Sequence, residues 1–165
     1  MEPIEQTISR LLTEYLELHK MRKTPERYAV LKVVYQMNGH FTVDELYAVL
    51  EGCHHVSRAT IYNVLDLLVH AGLVVRHTFG TAMCYEKCYG VRDFHYQVCT
   101  ECGAVQRVSA PQVSAALRDV SRRRFHATHA TVCIYGLCAK CQSRQQRMQK
   151  SLERSKTKKT TKIQR

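Results

Sequence analysis

Cys99-Thr-Glu-Cys102 and Cys138-Ala-Lys-Cys141 are two thiol pairs of the same spacing, separated by a stretch long enough for a helix and a strand. A tetrahedral zinc ion takes four soft donors at about 2.3 Å, and a Cys-x-x-Cys turn offers two thiolates from one tight knuckle. Two knuckles close the shell and leave no position for water. The pattern therefore predicts one structural zinc per chain, held by Cys99, Cys102, Cys138 and Cys141. Gly103 follows the first pair and supplies the backbone freedom such a turn needs. Three other chemistries use the same residues: two disulfides, a redox couple at each pair, or bound iron. The N-terminus has acids at Glu2 and Glu5 ahead of an amphipathic pattern and lacks the apolar run of a secretory signal. That favours a cytoplasmic, reducing setting, where disulfides are rare. Cys53, Cys84, Cys88 and Cys133 lack knuckle spacing and read as packed or free thiols.

With 165 residues, 45% of them hydrophobic, the chain has room for one domain or two small ones. No segment approaches a membrane-spanning length, so no membrane partner is expected. The formal charge of +11 suggests a polyanionic partner, but nine Lys or Arg against the single acid Glu153 put +8 of it in residues 144–165. That tail, poor in apolar anchors, reads as frayed helix passing into disorder, either a solvated extension or a nonspecific nucleic-acid arm. No internal repeat, phosphate loop or nucleophile elbow is present, and nothing combines a nucleophile with a base and an orienting group. The expectation is that the protein is not an enzyme.

The elements that must hold the thiol pairs begin with four helices. Ile8, Leu11, Leu12, Tyr15 and Leu18 recur at helical spacing from Ile4 to about Lys20. Thr24 as N-cap and Pro25 at the first helical position start a second helix, ended by Asn38-Gly39. Thr42 and Glu45 have the spacing of a capping box, with Phe41 ready to staple onto Leu46, and open a third helix to about Leu50. Ser57 caps a fourth, whose Ile61, Val64, Leu65, Leu68 and Val69 form one apolar stripe up to Gly72. Off that stripe lie Arg58, Tyr62 and Asn63. Polar and aromatic groups early on the second helix of a helix-turn-helix are placed to enter a DNA major groove; the bland alternative is a solvated helix face. Strands around Leu73–His77 and Ala82–Glu86 then make a hairpin about Gly80, completing a winged helix-turn-helix with Arg76 and His77 near the phosphate backbone.

Beyond it, Val91–Val98 and Ala104–Val108 read as strands flanking the first knuckle. Residues 112–120 read as a helix capped from Ser109 and ended by Arg122-Arg-Arg124, and His129–Tyr135 as a strand into the second knuckle. A sheet with one helix is too thin to cover itself, so a second copy is expected along a strand edge. The fold class expected is α+β: an N-terminal winged helix-turn-helix domain with an extra first helix (residues 1–88), a small C-terminal α/β dimerisation domain (89–143) and the basic tail (144–165).

From Ile4 to Cys141 the chain resembles the ferric uptake regulator (Fur) family of metal- and peroxide-responsive repressors. The resemblance rests on Thr24-Pro-Glu-Arg27, His40-Phe-Thr-Val-Asp-Glu-Leu-Tyr47, Ser57-Arg-Ala-Thr60-Ile-Tyr62-Asn63, Gly72-Leu-Val, Cys99-Thr-Glu-Cys-Gly103 and Tyr135-Gly-Leu-Cys138-Ala-Lys-Cys141, in that order. It implies a zinc-bearing homodimer that binds AT-rich inverted repeats of double-stranded DNA. Candidate DNA contacts are Arg27, Arg58, Thr60, Tyr62, Asn63 and Arg76.

The resemblance also implies a regulatory metal in the hinge, bound by a histidine before the third helix, an acid after the wing, a His-x-His ahead of the first knuckle and an acid after it. His40 and Glu86 match the first two; Phe94, Tyr96 and Arg107 stand at the other positions. Aromatic rings do not replace imidazoles, and Arg brings a positive charge where a cation would sit. His95 lies on the opposite strand face with Asp93, where His126 or His129 could join it in a different, weaker site, unless a bulge restores the usual face. Candidate regulatory ligands are thus His40, Glu86, Asp93, His95 and His129, with the usual iron, manganese or zinc response weak or absent. Two alternatives use other chemistry: a thiol sensor that releases zinc on oxidation, and a haem-responsive regulator with Cys84, Cys88 or His95 as axial donor. A zinc-buffering or protein-binding module is a third, opposed by Arg58, Tyr62 and Asn63.

Overall fold

The computed structural model of the chain describes residues 3–52, 54, 56–80, 82–90, 93–120, 125 and 127–161. Helix α1 (Ile4–Leu18) turns Ile8, Leu12 and Leu16 inward at four-residue spacing, while Arg10 pairs with Glu14 on the wet side at 2.8 Å. Helix α2 (Pro25–Gln36) begins with Pro25 in its first turn, as expected, but Thr24 makes no capping bond to the backbone. At the other end of α2, Lys87 donates to the carbonyls of Tyr35 and Met37 at 2.9 and 2.8 Å. Those are the orphan acceptors of a helix C-terminus, and an ammonium there also suits the helix dipole.

The Thr42–Glu45 capping box forms in full at the start of α3 (Val43–Glu51). Ser57 accepts from the Thr60 amide at 3.1 Å and opens α4 (Arg58–His70), whose Ile61, Val64, Leu65 and Leu68 are buried. Gly72, at φ +69°, releases the chain into a hairpin of β1 (Val74–Phe79) and β2 (Ala82–Lys87). An isolated bridge joins Phe41 to Tyr85 through two 2.8 Å bonds, stitching the hairpin to the segment before α3. Helices α1 to α4 followed by this hairpin share one core that includes Leu12, Leu16, Val34, Leu46 and Leu65.

The second half has strands β3 (Asp93–Cys99), β4 (Val105–Arg107) and β5 (Ala130–Gly136) in the order β4-β3-β5, antiparallel then parallel. Helix α5 (Pro111–Val120) lies on the β4-to-β5 connection. The whole is an α+β fold. A second core, of Val75, Phe79 and Cys84 from the hairpin with Phe94, Tyr96 and Val98 from β3, fills the junction between the halves. Strand β5 is an outer strand and leaves Ile134 and Tyr135 more than half exposed.

The tail departs from the sequence expectation, and the open alternative of a strand bulge is closed. The basic tail is not frayed through the described residues: α6 runs as a 23-residue helix, Ala139–Thr161. It starts inside the second knuckle, where Arg144 reaches Glu101 at 3.7 Å and the Cys141 sulfur at 3.6 Å, and it consists largely of Gln, Lys, Arg and Met, good helix formers. The β3 register is also unbroken from Asp93↔Ala130 to Cys99↔Gly136, so no bulge moves His95 to the hairpin side. Cys53, Val91, Arg122 to Arg124 and His126 lie outside the described residues.

Candidate functional site

Strand β3 delivers Cys99 and Cys102 from its end and the turn after it, while the end of β5 and the first turn of α6 deliver Cys138 and Cys141. Their four sulfurs lie within 4.8 Å of one another, with Cys102 and Cys138 at 3.8 Å. Four donors at 2.3 Å around a tetrahedral centre stand about 3.8 Å apart, so the cluster has the dimensions of a zinc shell. Backbone amides favour the thiolate at one corner: the Cys138 N–H donates to the Cys99 sulfur at 3.3 Å and, with the Cys102 amide, lowers its pKa to about 6. At another corner burial and the neighbouring thiols push Cys141 up to about 12. Four thiolates this close require a cation to coexist, which is the chemistry of a closed structural site. The seven described cysteines are all free thiols.

The hinge holds different chemistry. Glu86, at the end of β2, is 2% exposed, and its carboxylate is engaged on both oxygens. Arg107 Nη1 meets Oε1 at 2.5 Å, and the Tyr96 hydroxyl donates to Oε2. Because that hydroxyl spends its proton on Glu86, the buried His77 Nε2, 3.1 Å from the same oxygen, is the donor there, which fixes the neutral tautomer of His77. Burial, with His129, His40 and Arg107 nearby, lowers the His77 pKa to about 4. Burial followed by the bond to Glu86 raises that of Tyr96. Tyr96 and Arg107 are register partners across β3 and β4, so sheet pairing itself sets the guanidinium beside the phenol, and it also lies 5.3 Å from the Phe94 ring. His40 packs edge-on to Phe79 and Tyr96.

A pH dependence follows from the buried neutral imidazole. The unfolded chain binds a proton at His77 near pH 6.5 and the folded chain only near 4, so stability is full above about 6.5 and falls as pH drops through that window. Chemical denaturation at pH 7 and pH 5 is expected to show a loss of about 2 kcal/mol from this group. His77→Asn should flatten the slope by that amount; an equal slope in both proteins would assign the effect elsewhere.

The five candidate regulatory ligands do not converge. Among the described residues the only group of three or more metal-ligating side chains is the cysteine cluster. On the far face of β3, His95 Nε2 pairs with Ser114 Oγ of α5 at 2.9 Å, and Asp93 is held by Arg118 at 3.2 Å. His129 stands edge-on to Phe94, and Glu86 belongs to Arg107 and Tyr96. The sequence signals for this were Arg107 and Ser114; only the contacts reveal that each takes a candidate ligand as partner. Nor are the thiols offered as haem donors disposed to ionise. Burial raises the pKa of Cys84 and pushes Cys88 up to about 11, with the Cys88 thiol bonded to the Gly72 carbonyl at 3.2 Å.

The candidate DNA contacts gather around the start of α4. Tyr62 is 51% exposed and Asn63 is exposed beside it. Arg58 is exposed too, its guanidinium salt-bridged to Asp44 and 4.3 Å from the Tyr47 ring of α3. Thr60 bonds Ser57 at 2.9 Å within the cap. Arg76 on β1 faces Asp66 at 3.8 Å, and Arg27 on α2 donates to the Arg22 carbonyl.

A helix-turn-helix with an exposed second helix, joined to a sheet that carries a closed four-thiol cluster, defines a metal-binding DNA-binding regulator. The model of the ferric uptake regulator family matches residues 19–135. The chain is 32% identical over 143 residues to the peroxide operon regulator of Bacillus subtilis, covering 81% of this chain and 95% of that protein. It is 30% identical over 126 residues to the peroxide-responsive repressor PerR of Staphylococcus aureus, covering 75% and 84%. The solved ferric uptake regulator of Pseudomonas aeruginosa with manganese superposes with a TM-score of 0.63 at 26% identity, over 77% of this chain and 97% of that one. The chain belongs to the ferric uptake regulator family; it is a transcription regulator and not an enzyme. No helix among the described residues is long and apolar enough to cross a membrane.

Proposed function

We propose that this chain is a cytoplasmic, homodimeric repressor that binds AT-rich inverted repeats of double-stranded DNA, with one structural zinc per subunit and a weak or absent response to the usual metals. The observation that carries the DNA reading is the exposed group of Arg58, Tyr62 and Asn63 on the opening turns of α4. That is where a helix in the major groove presents side chains to base edges, with Thr60, Arg27 and Arg76 at the phosphates. Residues 1–88 act as the winged-helix DNA-binding domain and 89–143 as the dimerisation domain. The exposed outer strand β5 meets a second copy, which spaces two α4 helices for two half-sites. Residues 144–165 form a basic extension. Zinc on Cys99, Cys102, Cys138 and Cys141 ties together the C-terminal ends of the parallel strands β3 and β5 and so fixes the dimerisation unit.

The weak metal response rests on the hinge. Glu86 is already neutralised, the His-x-His positions are Phe94 and Tyr96, and among the described residues His40 belongs to no group of three or more metal-ligating side chains. The donors do not fit a divalent cation. The test is the affinity of the zinc-loaded protein for a duplex carrying an AT-rich inverted repeat, at fixed salt, with and without iron(II), manganese(II) or extra zinc. Tight binding unchanged by any metal is expected; a tenfold gain with one of them would overturn the reading of the hinge. A thiol-switch reading is favoured by the exposure of Cys102, and it predicts zinc loss with loss of DNA binding under mild peroxide.

A further inference from the structure

The hinge residues that do not suit a metal suit one another. Glu86 belongs to the hairpin attached to the helical half, whereas Arg107 and Tyr96 belong to the sheet that carries the thiol cluster. Their contact is the ion pair that crosses from hairpin to sheet among the described residues. It is built rather than incidental. The carboxylate side chain is 3% exposed, each oxygen has its own donor, and the phenol is in turn fixed by His77. The guanidinium is aimed by the Tyr96–Arg107 register pair and rests beside the Phe94 ring. A cation that is part of the chain therefore neutralises a buried carboxylate at the junction of the two halves.

We propose that Arg107 is a positioning residue for DNA binding: through Glu86 and Tyr96 its guanidinium holds the hairpin against the sheet and sets the angle between the halves without any metal ion. A mobile cation can leave, and the hinge then reports its concentration. A covalently attached cation cannot leave, so the protein stays in the DNA-competent arrangement at all metal levels. Arginine suits this role better than lysine because it is always charged and reaches the carboxylate with a rigid planar fork. The inference rests on the DNA-binding reading for its functional consequence, but the hold on the hinge is measurable without DNA.

The experiment uses the full-length, zinc-loaded protein and compares wild type with R107A and E86Q. Three quantities are read: zinc content and dimer mass, small-angle scattering of the free protein, and affinity for the inverted-repeat duplex at fixed salt. With zinc and dimer retained, R107A is expected to scatter as a more extended, more heterogeneous particle and to bind the duplex at least tenfold more weakly. Millimolar ethylguanidinium chloride should restore part of that affinity where the same concentration of sodium chloride does not. In the E86Q/R107A double variant the two losses should not add, because they break one contact. Scattering and affinity equal to wild type in R107A would overturn the proposal, as would a loss that ethylguanidinium leaves untouched. If R107A fails to retain zinc, Y96F serves instead: it removes one bond to the carboxylate and keeps the ring, with about threefold weaker binding expected and an unchanged affinity counting against the proposal. A wild type that does not bind the duplex at all would refute the DNA reading, while the scattering comparison would still judge the hinge.

Discussion

Cys138→Ser is expected to take zinc from one ion per chain to near zero and to dissolve the dimer, with the helical half left folded. The site lies where the end of β5 meets the start of α6 and faces the turn after β3, so it closes a loop containing β4, α5 and β5. A three-stranded sheet with a single helix buries little. Its described core at the junction has six residues, three of them borrowed from the hairpin. Structural zinc in small domains contributes on the order of 10 kcal/mol or more, comparable with the entire stability of a typical domain. Without it, ordering this half lacks the free energy to proceed. Helices α1 to α4 have their own core and should keep their circular-dichroism signal. Metal analysis and light scattering on the purified variant decide the matter: a zinc-free dimer that survives would mean that packing alone holds the sheet and that the cluster is not its staple.

Tyr62→Ala should weaken specific DNA binding by about 1–3 kcal/mol, roughly 5- to 150-fold, while changing stability little. The side chain is 51% exposed and absent from the α4 core stripe of Ile61, Val64, Leu65 and Leu68, so its removal leaves no cavity. Tyr62 carries no charge, and the dependence of affinity on salt concentration should therefore keep its slope. Arg76→Ala would behave differently. It removes a cation placed at the phosphates, which faces Asp66 in the free protein, and the salt slope should fall by about one phosphate contact. Anisotropy titrations of a labelled duplex at two salt concentrations separate the two cases. An affinity for Tyr62→Ala equal to wild type would remove α4 as the reading helix.

The parts of this molecule that follow from local rules were legible in the sequence. Helical spacing of apolar residues, the Thr42–Glu45 capping box, the Ser57 cap and the glycine ending α4 each concern neighbours along the chain, and each formed at its expected place. The cysteine cluster was legible for a related reason: a knuckle is a local turn, and two of equal spacing have few other uses. Local rules were less informative where partners compete. Thr24 had the right type for a cap and stands at the N-cap position, yet its hydroxyl makes no capping bond. The tail looked too polar to order, but its first turn is anchored at the second knuckle and its composition favours helix, so it continues to Thr161.

What the sequence by itself determined is the order of elements, the two thiol pairs of equal spacing, the polar face of α4 and the absence of histidine at positions 94 and 96. What only the tertiary structure decided is what the residues at the hinge touch. Glu86, Tyr96 and Arg107 are separated along the chain, and nothing in their types alone says whether Arg107 points to solvent, to Glu86 or to another acid. The unbroken register of β3 with β5 and the pairing of Tyr96 with Arg107 place all three at one junction, and burial then demands a partner for the carboxylate. A charge removed from water must be neutralised where it lies, and that condition depends on three-dimensional proximity, which no spacing along the chain encodes.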